Sequence, residues 1–423
     1  MTNSDKRESR NILAGSVGNV MEWFDFAVYG FFAPVIGAQF FPSENPVTSL
    51  LAAFGVFASG FLARPIGAAF FGHLGDRKGR EVVLRWSVIL MGVSTCLLGL
   101  LPTYEMIGVA APILLTLLRL VQGFSVGGEY TGSVIYLVER APIGRRGLIG
   151  GWSNFGAVAG FLIGSAVGAL ITATISKDDI ATWGWRVPFI LGISIMGLAV
   201  FFRRKLEKRD DDEVVDLPLP LLMAIKTEWR TMLKIAGIIL MANVGFYMMF
   251  VYVTTYLSEH FGVSMALALE IDTAAMATLL VFVPLAAWIS DKIGRKPVLF
   301  AAAIGGLVLT VPLFLAIQHD DPVLIFFGQV GFALIIGAST GANAATLVEI
   351  TRAPYRCTVI SVAYNLTLAI FGGTTPMVAT WLIASTGNIM TPAYYIMGMA
   401  VITIGTLLCI PETAHGDIQR KPE

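Results

Sequence analysis

Long apolar segments alternate with short polar clusters along almost the whole chain. Dividing the sequence at the polar and turn-forming clusters gives twelve apolar segments, numbered as spans 1 to 12, at residues 11–41, 48–74, 82–101, 107–139, 147–174, 185–203, 231–258, 266–290, 297–317, 322–349, 356–384 and 390–410. A helix needs about 20 apolar residues to cross a hydrocarbon layer about 30 Å thick. The pattern therefore predicts an all-α integral membrane protein with twelve transmembrane helices.

The composition agrees with this prediction. Hydrophobic residues make up 56% of the 423 residues and charged residues only 14%, whereas soluble domains carry about 25% charged residues. A single water-soluble core is therefore excluded, and the lipid bilayer is the predicted environment. The 29 basic and 29 acidic residues cancel, so the net charge gives no reason to expect a nucleic-acid partner.

The basic residues are distributed unevenly between the two ends of the spans. The turns after odd-numbered spans hold almost no Lys or Arg. The turns after even-numbered spans hold many, including Arg77, Lys78, Arg80, Arg145, Arg146, Lys292, Arg295, Lys296, Arg352 and Arg356. Because cytoplasmic turns carry the excess of basic residues in membrane proteins, the sequence predicts that both termini are cytoplasmic.

One long polar stretch divides the chain. It contains the charged run from Lys205 to Glu213 and two prolines, Pro218 and Pro220. Such a stretch after six spans is typical of a linker between two bundles. We predict an N-terminal six-helix bundle at residues 1–203, a cytoplasmic linker at 204–230 and a C-terminal six-helix bundle at 231–423.

Two short motifs recur with nearly the same offset. The turn after span 2 contains GDRKGR at residues 75–80, and 215 residues later the turn after span 8 contains SDKIGR at residues 290–295. The sequence ERAP at residues 139–142 has a counterpart that begins 210 residues later, at Glu349. Two repeats at similar offsets indicate duplication of a six-span unit, with the halves related by an axis along the membrane normal, as in carriers.

The repeated charges are candidates for a gate on the cytoplasmic side. An aspartate in such a turn can cap helix amides and pair with a nearby arginine, and these contacts can break and re-form. The alternative is that any cytoplasmic turn collects charges. Since the motif occurs twice, we assign gating to Asp76, Arg77, Arg80, Asp291, Arg295, Glu139 and Glu349.

Several motifs together resemble a known family. Besides the paired aspartate turns, they are GNVMEWFDF at 18–26, GFLARPIG at 60–67, QGFSVGGEY at 122–130 and WGWRVPF at 183–189. With these motifs the chain resembles the metabolite:proton symporters of the major facilitator superfamily, which include proline/betaine, α-ketoglutarate and citrate transporters. The resemblance implies the major facilitator fold, alternating access, the proton as coupling ion with no other cofactor, a bacterial inner-membrane location and function as a monomer.

The first half places ionisable and polar side chains inside its spans. A charge near the middle of a membrane helix costs about 2.5–3.5 kcal/mol on insertion scales, so such residues are usually functional. These residues are Glu22, Asp25 and Tyr29 in span 1, Arg64 in span 2, and Arg119, Gln122 and Glu129 in span 4. The spacing within span 4 predicts that its three side chains share one helix face.

The arginines are candidates for binding a substrate carboxylate. A guanidinium group can form two parallel hydrogen bonds with a carboxylate in a dry cavity. We assign this role to Arg119 together with Arg64. Gln122 and Tyr29 are expected to complete the substrate-binding site in the first half.

The carboxylates are candidates for proton coupling. A buried carboxylate that becomes accessible from each side in turn can carry a proton across, which makes Glu22, Asp25 and Glu129 the proton-coupling residues. The alternative is that fixed ion pairs, Arg64 with Asp25 or Arg119 with Glu129, only hold the helices together.

The second half lacks these charges. An offset of 210 residues places Gln329 opposite Arg119, so we expect the ionic chemistry to lie in the first half. Neutral residues of the second half are candidates for the opposite wall of the substrate site: Asn243, Tyr247, Asn343, Tyr364 and Asn365. Tyrosines in spans can also serve as packing residues or interface anchors. Asp272 and Glu270, near the outer end of span 8, are expected to be surface acids.

These features favour a secondary active transporter. The expected activity is proton-coupled symport of a small carboxylate-bearing metabolite, an organic acid or a zwitterion such as proline or betaine, by alternating access. A facilitative uniporter or exchanger and a channel are the alternatives, although a channel is expected to have a pore lined by repeated subunits or charge rings. We predict no enzyme activity and no metal site, because the sequence shows no nucleophile–base pair and no cluster of metal-ligating residues.

Overall fold

The protein is described by a computed structural model. It covers the backbone of residues 18–78, 80–204, 220–353, 356–414 and 416, and the side chains of the same residues except 72–85, 88, 195, 198–204 and 220–225. The two chain ends and residues 205–219 of the predicted linker lie outside the described residues. The described residues form helices joined by turns, with no strand.

The described part of the first half contains ten α-helices. They are α1 (Gly18–Phe31), α2 (Ala33–Phe40), α3 (Pro46–Lys78), α4 (Arg80–Leu100), α5 (Tyr104–Ile107), α6 (Ala110–Ser125), α7 (Glu129–Arg140), α8 (Arg146–Thr174), α9 (Lys177–Thr182) and α10 (Val187–Arg204). The second half continues with nine more. They are α11 (Pro220–Tyr247), α12 (Val253–Phe261), α13 (Met265–Ile293), α14 (Arg295–Val308), α15 (Thr310–Ile317), α16 (Pro322–Glu349), α17 (Arg356–Thr367), α18 (Thr375–Thr386) and α19 (Thr391–Leu408).

These helices account for the twelve predicted spans. Among the described residues, eight helical segments are long and apolar enough to cross a membrane; three of them consist of two labelled helices each, α6–α7, α11–α12 and α17–α18. The bent pairs α1–α2 and α14–α15 each supply one more. Helices α4 and α10 occupy the positions of spans 3 and 6. The all-α, twelve-helix prediction is confirmed, whereas the three domain boundaries stay a prediction.

Several spans are interrupted where helical hydrogen bonding is weakened. Helices α1 and α2 meet at 64°, with Pro34 in the first turn of α2, and α14 and α15 meet at 57° next to Pro312. Proline lacks an N–H and its ring clashes with the preceding turn, which causes kinks. Spans 7 and 11 each contain a π-helical turn, Met248–Tyr252 and Leu368–Gly372, a feature common at functional sites.

The two halves meet along a seam, in which α3, α7 and α8 of the first half contact α13, α16, α17 and α18 of the second. Hydrogen bonds cross it. Asn154 Nδ2 donates to the Thr340 carbonyl oxygen at 2.6 Å, and the hydroxyl groups of Thr131 and Ser361 are 2.8 Å apart. The seam brings second-half residues next to the charged side chains of α1 and α3.

Glycines allow α8 to lie close to α1. A Cβ atom at Gly160 would be 2.4 Å from the Val20 carbonyl oxygen, and one at Gly164 would be 2.8 Å from the Ala27 Cβ atom. These distances leave no space for a side chain. The glycines of α8 therefore serve close helix packing, which is their usual role in membrane helices.

Candidate functional site

Two buried ion pairs lie in the core of the first half. Arg64 Nη1 of α3 is 2.7 Å from Glu22 Oε1 of α1, and Arg119 Nη1 of α6 is 2.9 Å from Asp25 Oδ2 of α1. All four side chains are at most 2% exposed. Glu22 and Asp25 are three residues apart, so they project from the same side of α1. The alternative pairings, Arg64 with Asp25 and Arg119 with Glu129, are wrong.

Gln122 connects the Arg119–Asp25 pair to a neighbouring helix. Its Oε1 accepts a hydrogen bond from Arg119 Nη1 at 3.0 Å, while its Nε2 donates to Asp25 Oδ1 at 3.0 Å and to Thr95 Oγ1 at 2.9 Å. Both oxygens of Asp25 are therefore hydrogen-bonded. Sequence analysis missed Thr95 of α4, because one threonine in an apolar span gives no signal of its own.

Aromatic rings surround both guanidinium groups. The Cζ atom of Arg64 lies 4.5–4.9 Å from the ring centroids of Trp23, Phe26 and Phe61. The Cζ atom of Arg119 lies 3.9 Å from the ring centroid of Tyr29. Cations are attracted to aromatic ring faces, most strongly where water is excluded. The rings therefore stabilise the buried arginines and form the apolar wall of the site.

Several buried donors near these pairs have no hydrogen-bond partner. Among the described residues, this applies to Nε and Nη2 of Arg64, to the same two atoms of Arg119, and to Oη of Tyr247 in α11. Buried polar groups are nearly always hydrogen-bonded in folded proteins. Guanidinium N–H groups match carboxylate oxygens in geometry and charge. These atoms are the ones that a bound carboxylate can use.

Tyrosines of the second half approach the Arg64–Glu22 pair across the seam. The phenol groups of Tyr247 and Tyr364 are within electrostatic range of both Arg64 and Glu22. The ring of Tyr247 packs edge-on against that of Phe61, with centroids 5.5 Å apart. The Arg64–Glu22 pair therefore faces the second half, whereas the Arg119–Asp25 pair is enclosed by residues of the first half.

Three predicted second-half residues contact the first half directly. Tyr364 stacks on Tyr130 with ring centroids 4.8 Å apart. Asn365 Nδ2 donates to a backbone carbonyl oxygen between α6 and α7 at 3.1 Å. Asn343 Oδ1 accepts from Asn154 Nδ2 at 3.3 Å. The structure thus places all three residues at the seam.

Asn243 and Tyr130 add polar groups to the same region. Asn243 lies one turn before Tyr247 on α11, and its Nδ2 has no hydrogen-bond partner among the described residues. Tyr130 donates a hydrogen bond to Asn154 Oδ1. Sequence analysis did not assign a role to Tyr130 or Asn154, because their position depends on how the two halves pack.

Glu129 does not share the site of Arg119. Residues 126–128 interrupt span 4 between α6 and α7, and Glu129 begins the second helix. Its carboxylate lies 3.4 Å from the hydroxyl oxygen of Ser87. Gln122 contacts Thr95 and Glu129 contacts Ser87, both on α4, so the two side chains project toward the same neighbouring helix. The helix face that they share with Arg119 stays a prediction, and the adjacent glycines favour the turn between α6 and α7.

Asp272 is not a surface acid. Its side chain is fully buried at the seam, where Ser165 Oγ of α8 lies 3.0 Å from its Oδ2 atom. Glu270 is exposed, as expected. Residues two positions apart point to nearly opposite sides of a helix, so one acid of α13 faces outward and the other faces α8.

The predicted gating residues of the second half form one network at the end of the seam where the basic turns cluster. Asp291 accepts hydrogen bonds from the backbone N–H groups of Gly147 and Leu148, both at 2.8 Å. Arg295 Nη1 is 2.9 Å from Asp291 Oδ1, and Arg295 Nη2 is 3.1 Å from Glu349 Oε1. Asp291 therefore caps the first turn of α8 in the other half.

A second ion pair crosses the seam nearby. Glu139 Oε1 of α7 is 2.6 Å from Arg356 Nη1 of α17. Arg356 was not among the predicted gating residues, because only its partner lies in the repeated motif. The side chains of Asp76, Arg77 and Arg80, the predicted gating residues of the first repeat, lie outside the described residues.

Sequence analysis also missed Glu412, which follows the last helix in a polar tail. Its carboxylate accepts hydrogen bonds from the backbone N–H groups of Arg295 at 2.8 Å and Lys296 at 2.9 Å, and so caps α14. Burial alone raises the pKa of Glu412, but the backbone N–H groups of Ala414, Arg295, Lys296 and Thr413 together lower it below its usual value. The tail is thereby attached to the gating network.

Comparisons with known proteins agree with this architecture. Residues 11–208 match the family model described as "Sugar (and other) transporter", and residues 235–423 match "Major Facilitator Superfamily". The chain is 39% identical to the glycine betaine/proline/ectoine/pipecolic acid transporter OusA of Dickeya dadantii, covering 97% of this chain and 85% of the relative. It is 37% identical to the proline/betaine transporter of Escherichia coli K12, with the same coverage.

Solved structures share the fold at low sequence identity. The proton:xylose symporter XylE bound to 6-bromo-6-deoxy-D-glucose has a TM-score of 0.80 and 18% identity, covering 99% of this chain and 98% of that chain. The inward-open conformation of XylE from Escherichia coli has a TM-score of 0.71 and 18% identity, covering 95% and 96%. The chain therefore belongs to the major facilitator superfamily, in the family of the proline/betaine transporters, and is a multi-pass membrane transporter and not an enzyme.

Proposed function

We propose that the chain is a proton-coupled symporter of a small zwitterion, such as proline or a betaine, in the inner membrane of a bacterium. The observation that carries this proposal is the charge balance of the central site. Two arginines are paired with two carboxylates, Arg64 with Glu22 and Arg119 with Asp25, in surroundings at most 2% exposed. The names of the relatives, which are transporters of proline and betaines, support the same substrate class.

Charge balance favours a zwitterion over a dicarboxylate or citrate. A buried charge is stable only when an opposite charge or strong hydrogen bonds compensate it. A zwitterion adds no net charge to a site in which two positive and two negative groups already cancel. A dicarboxylate or citrate would bring several negative charges. Protonation of Asp25 frees only the one positive charge of Arg119, and the described residues of the site include no further cation.

The Arg64–Glu22 pair is the proposed binding point. It faces the second half, where Tyr247 and Tyr364 approach it. The substrate carboxylate takes the Nε and Nη2 atoms of Arg64 and the hydroxyl group of Tyr247, all of which have no hydrogen-bond partner among the described residues. The cationic end of the substrate lies toward the Glu22 carboxylate and the ring of Trp23, because a quaternary ammonium group is attracted both to a negative charge and to an aromatic face.

Asp25 is the proposed proton carrier. In the present arrangement its two oxygens accept hydrogen bonds from Arg119 Nη1 and Gln122 Nε2. When water reaches the site from outside, a proton neutralises Asp25 and weakens its attraction to Arg119. Arg119 then adds a positive charge that favours the substrate carboxylate next to it. Proton and substrate thus bind together, which is the requirement for symport.

Alternating access requires gates that break and re-form. The network of Asp291, Arg295 and Glu349 joins α8 of the first half to α13, α14 and α16 of the second, and the Glu139–Arg356 pair adds a second connection. We propose that these contacts hold the cytoplasmic side closed and separate when the substrate leaves. The protein acts as a monomer, because both halves of the site come from one chain, and the proton is the only coupling ion.

Uptake into proteoliposomes tests the proposal. Labelled proline and glycine betaine should accumulate when an inward proton gradient is imposed, with saturation at high concentration, and citrate and α-ketoglutarate should not compete. Saturable uptake that ignores the proton gradient would identify a uniporter or exchanger instead. Uptake that never saturates would point to a channel.

A further inference from the structure

A second buried carboxylate lies at the seam, apart from the central site. Asp272 is fully buried in α13, about 10 Å from the outer end of that helix at 1.5 Å per residue. Ser165 of α8 contacts its carboxylate, and Thr273 and the Leu269 carbonyl oxygen, both of α13, contact Ser165 in turn. We call these four residues the outer seam site. One comes from the first half and three from the second.

The oxygen atoms of the outer seam site form a chain. Thr273 Oγ1 lies 2.6 Å from the Leu269 carbonyl oxygen, and Ser165 Oγ lies 2.7 Å from Thr273 Oγ1. Asp272 Oδ2 lies 3.0 Å from Ser165 Oγ. Ser165 Oγ also lies 3.5 Å from the Leu269 carbonyl oxygen. All four contacts are within hydrogen-bond distance, and the two hydroxyl groups supply only two hydrogen atoms for them.

With an ionised Asp272, the Ser165 O–H group donates to the carboxylate, and either the Ser165–Thr273 contact or the Thr273–Leu269 contact then has no hydrogen atom. A protonated carboxyl group would supply this missing hydrogen. In a protonated Asp272 the O–H group donates to Ser165, the Ser165 O–H group donates to Thr273, and the Thr273 O–H group donates to the Leu269 carbonyl oxygen.

The surroundings provide no cation that would stabilise an ionised Asp272. Its Oδ1 atom has no hydrogen-bond partner among the described residues, and Ser165 is the only partner of its carboxylate there. The other titratable or charged groups of α13 and of the helices packed against it lie elsewhere. They are Arg146 at the far end of α8, Tyr256, Glu259 and His260 on α12, Arg295 and Lys296 at the start of α14, Glu349 at the end of α16, and, on α13 itself, exposed Glu270 and, at its far end, Asp291 and Lys292. An ionised carboxylate would therefore be buried without compensation.

We propose that Asp272 binds a proton at the outer seam site and releases it when α8 and α13 separate on the outer side. Because the site is divided between the two halves, opening removes Ser165 and admits water, which stabilises the ionised carboxylate. Proton binding therefore favours the closed outer seam, and closure favours proton binding. Release of the proton rests on the proposed alternating access, whereas protonation of Asp272 in the closed state does not.

Infrared spectroscopy of the purified protein in lipid tests the proton directly and requires no transport. The wild type should show a carbonyl stretch of a protonated carboxyl group at neutral pH, which Asp272→Asn removes and Glu270→Gln retains. Ser165→Ala keeps the aspartate and should shift the frequency of the band, since it removes the hydrogen-bond partner of the carboxyl group. An unchanged spectrum in Asp272→Asn would overturn the proposal.

Two further measurements test whether the bound ion is a proton and whether its release accompanies opening. Loss of the wild-type band when sodium replaces choline as the cation would assign the site to sodium and overturn the proton assignment. Spin-label distances between the outer ends of α8 and α13 should increase with external pH in the wild type and become independent of pH in Asp272→Asn. The same pH dependence in both proteins would contradict the link to opening, even if proline and betaine uptake behaves as proposed.

Discussion

The carboxylate of Asp291 in α13 accepts a hydrogen bond from the backbone N–H of Gly147 in α8 at 2.8 Å, so a side chain of one half caps a helix of the other. The glycine is required for this approach. A Cβ atom at position 147 would lie 2.4 Å from Arg295 Nη1 and 2.6 Å from the Ala287 carbonyl oxygen. The first helical turn of α8 thus serves as a docking point for the acidic turn of the second half, and Arg295 balances the charge of that turn.

We expect Asp291→Asn to open the cytoplasmic side. The variant loses the charge that strengthens two backbone hydrogen bonds and the contact with Arg295. Hydrogen bonds to charged groups contribute about 1.5–3 kcal/mol each, so the ratio of open to closed protein should rise about tenfold or more. Spin-label distances between the cytoplasmic ends of α8 and α13 measure this ratio. Lys292→Gln, at an exposed neighbouring position, is the control and should behave as the wild type.

Asp25→Asn should separate solute exchange from proton coupling. Asparagine keeps the size of Asp25 and matches the charge of its protonated form, but it cannot exchange a proton. Exchange of labelled for unlabelled proline should persist, while accumulation driven by a proton gradient should fall at least tenfold. Glu129→Gln is the matched control, because Glu129 lies in α7 beside Ser87 and outside the central site. Gradient-driven accumulation by Asp25→Asn at the wild-type level would remove Asp25 from the coupling mechanism.

The contrast between these two carboxylates shows how far sequence reasoning reaches. Helical spacing places Glu22 and Asp25 on one side of α1, because residues three apart share a side. It does not show that residues 126–128 form a turn between α6 and α7, so that Glu129 begins a new helix. Pairing between spans was not predictable at all. Which arginine reaches which carboxylate depends on the rotation and depth of neighbouring helices, which the sequence of a single span does not contain.

Asp272 and Glu412 illustrate two further limits of sequence reasoning. Asp272 lies near a predicted span end, where exposure is the usual state of an acid, and only its contact with α8 explains its burial. Glu412 lies in a polar tail without periodicity, and its role as a cap of α14 follows from the fold of the chain end. In contrast, the twelve spans and the repeated acidic turn were readable from the sequence, because bilayer thickness and duplication leave regular patterns.

Tyr247→Phe should weaken substrate binding without disturbing the fold. The hydroxyl group has no hydrogen-bond partner among the described residues, so its removal leaves no buried group unpaired. A lost hydrogen bond to a charged carboxylate corresponds to an increase in KM of about tenfold or more. Uptake kinetics for proline and betaine measure the change.

Tyr256→Phe is a control from the same span. Tyr256 donates to the Ile389 carbonyl oxygen at 3.0 Å and accepts from Gln318 at 2.7 Å. Its hydroxyl group is therefore structural, and the variant should lower the Tm while leaving KM near the wild-type value. An unchanged KM in Tyr247→Phe would exclude the Tyr247 hydroxyl group from the substrate site.

The Glu412 cap should make stability depend on acidic pH. Because the pKa of Glu412 lies below the usual 4.5, its carboxylate stabilises the folded state above the pKa of the unfolded chain, and this contribution is lost as the pH falls through the lower folded-state pKa. Glu412→Gln should therefore lower the Tm at pH 7, and the difference from the wild type should shrink toward zero below about pH 4. Replacing a cap usually costs about 0.5–2 kcal/mol, and the exposure of Glu412 places this case at the low end. A Tm difference that stays constant from pH 7 down to about pH 3 would mean that the charge of Glu412 is unimportant.

Two alanine substitutions in membrane helices should have opposite effects. At Gly160 of α8 a Cβ atom would lie 2.4 Å from the Val20 carbonyl oxygen, whereas at Gly398 of α19 nothing lies within 4 Å. Gly160→Ala must push α1 away from α8, and overpacking of this kind usually costs about 1–3 kcal/mol. Gly398→Ala meets no obstacle, and alanine stabilises a helix by about 0.5–1 kcal/mol relative to glycine.

Thermal unfolding in detergent should therefore show a lower Tm for Gly160→Ala and an equal or higher Tm for Gly398→Ala. Since α1 carries Glu22 and Asp25, the first variant should also lose transport activity before it unfolds. Equal Tm values for the two variants would show that α8 does not hold α1 in place by close packing.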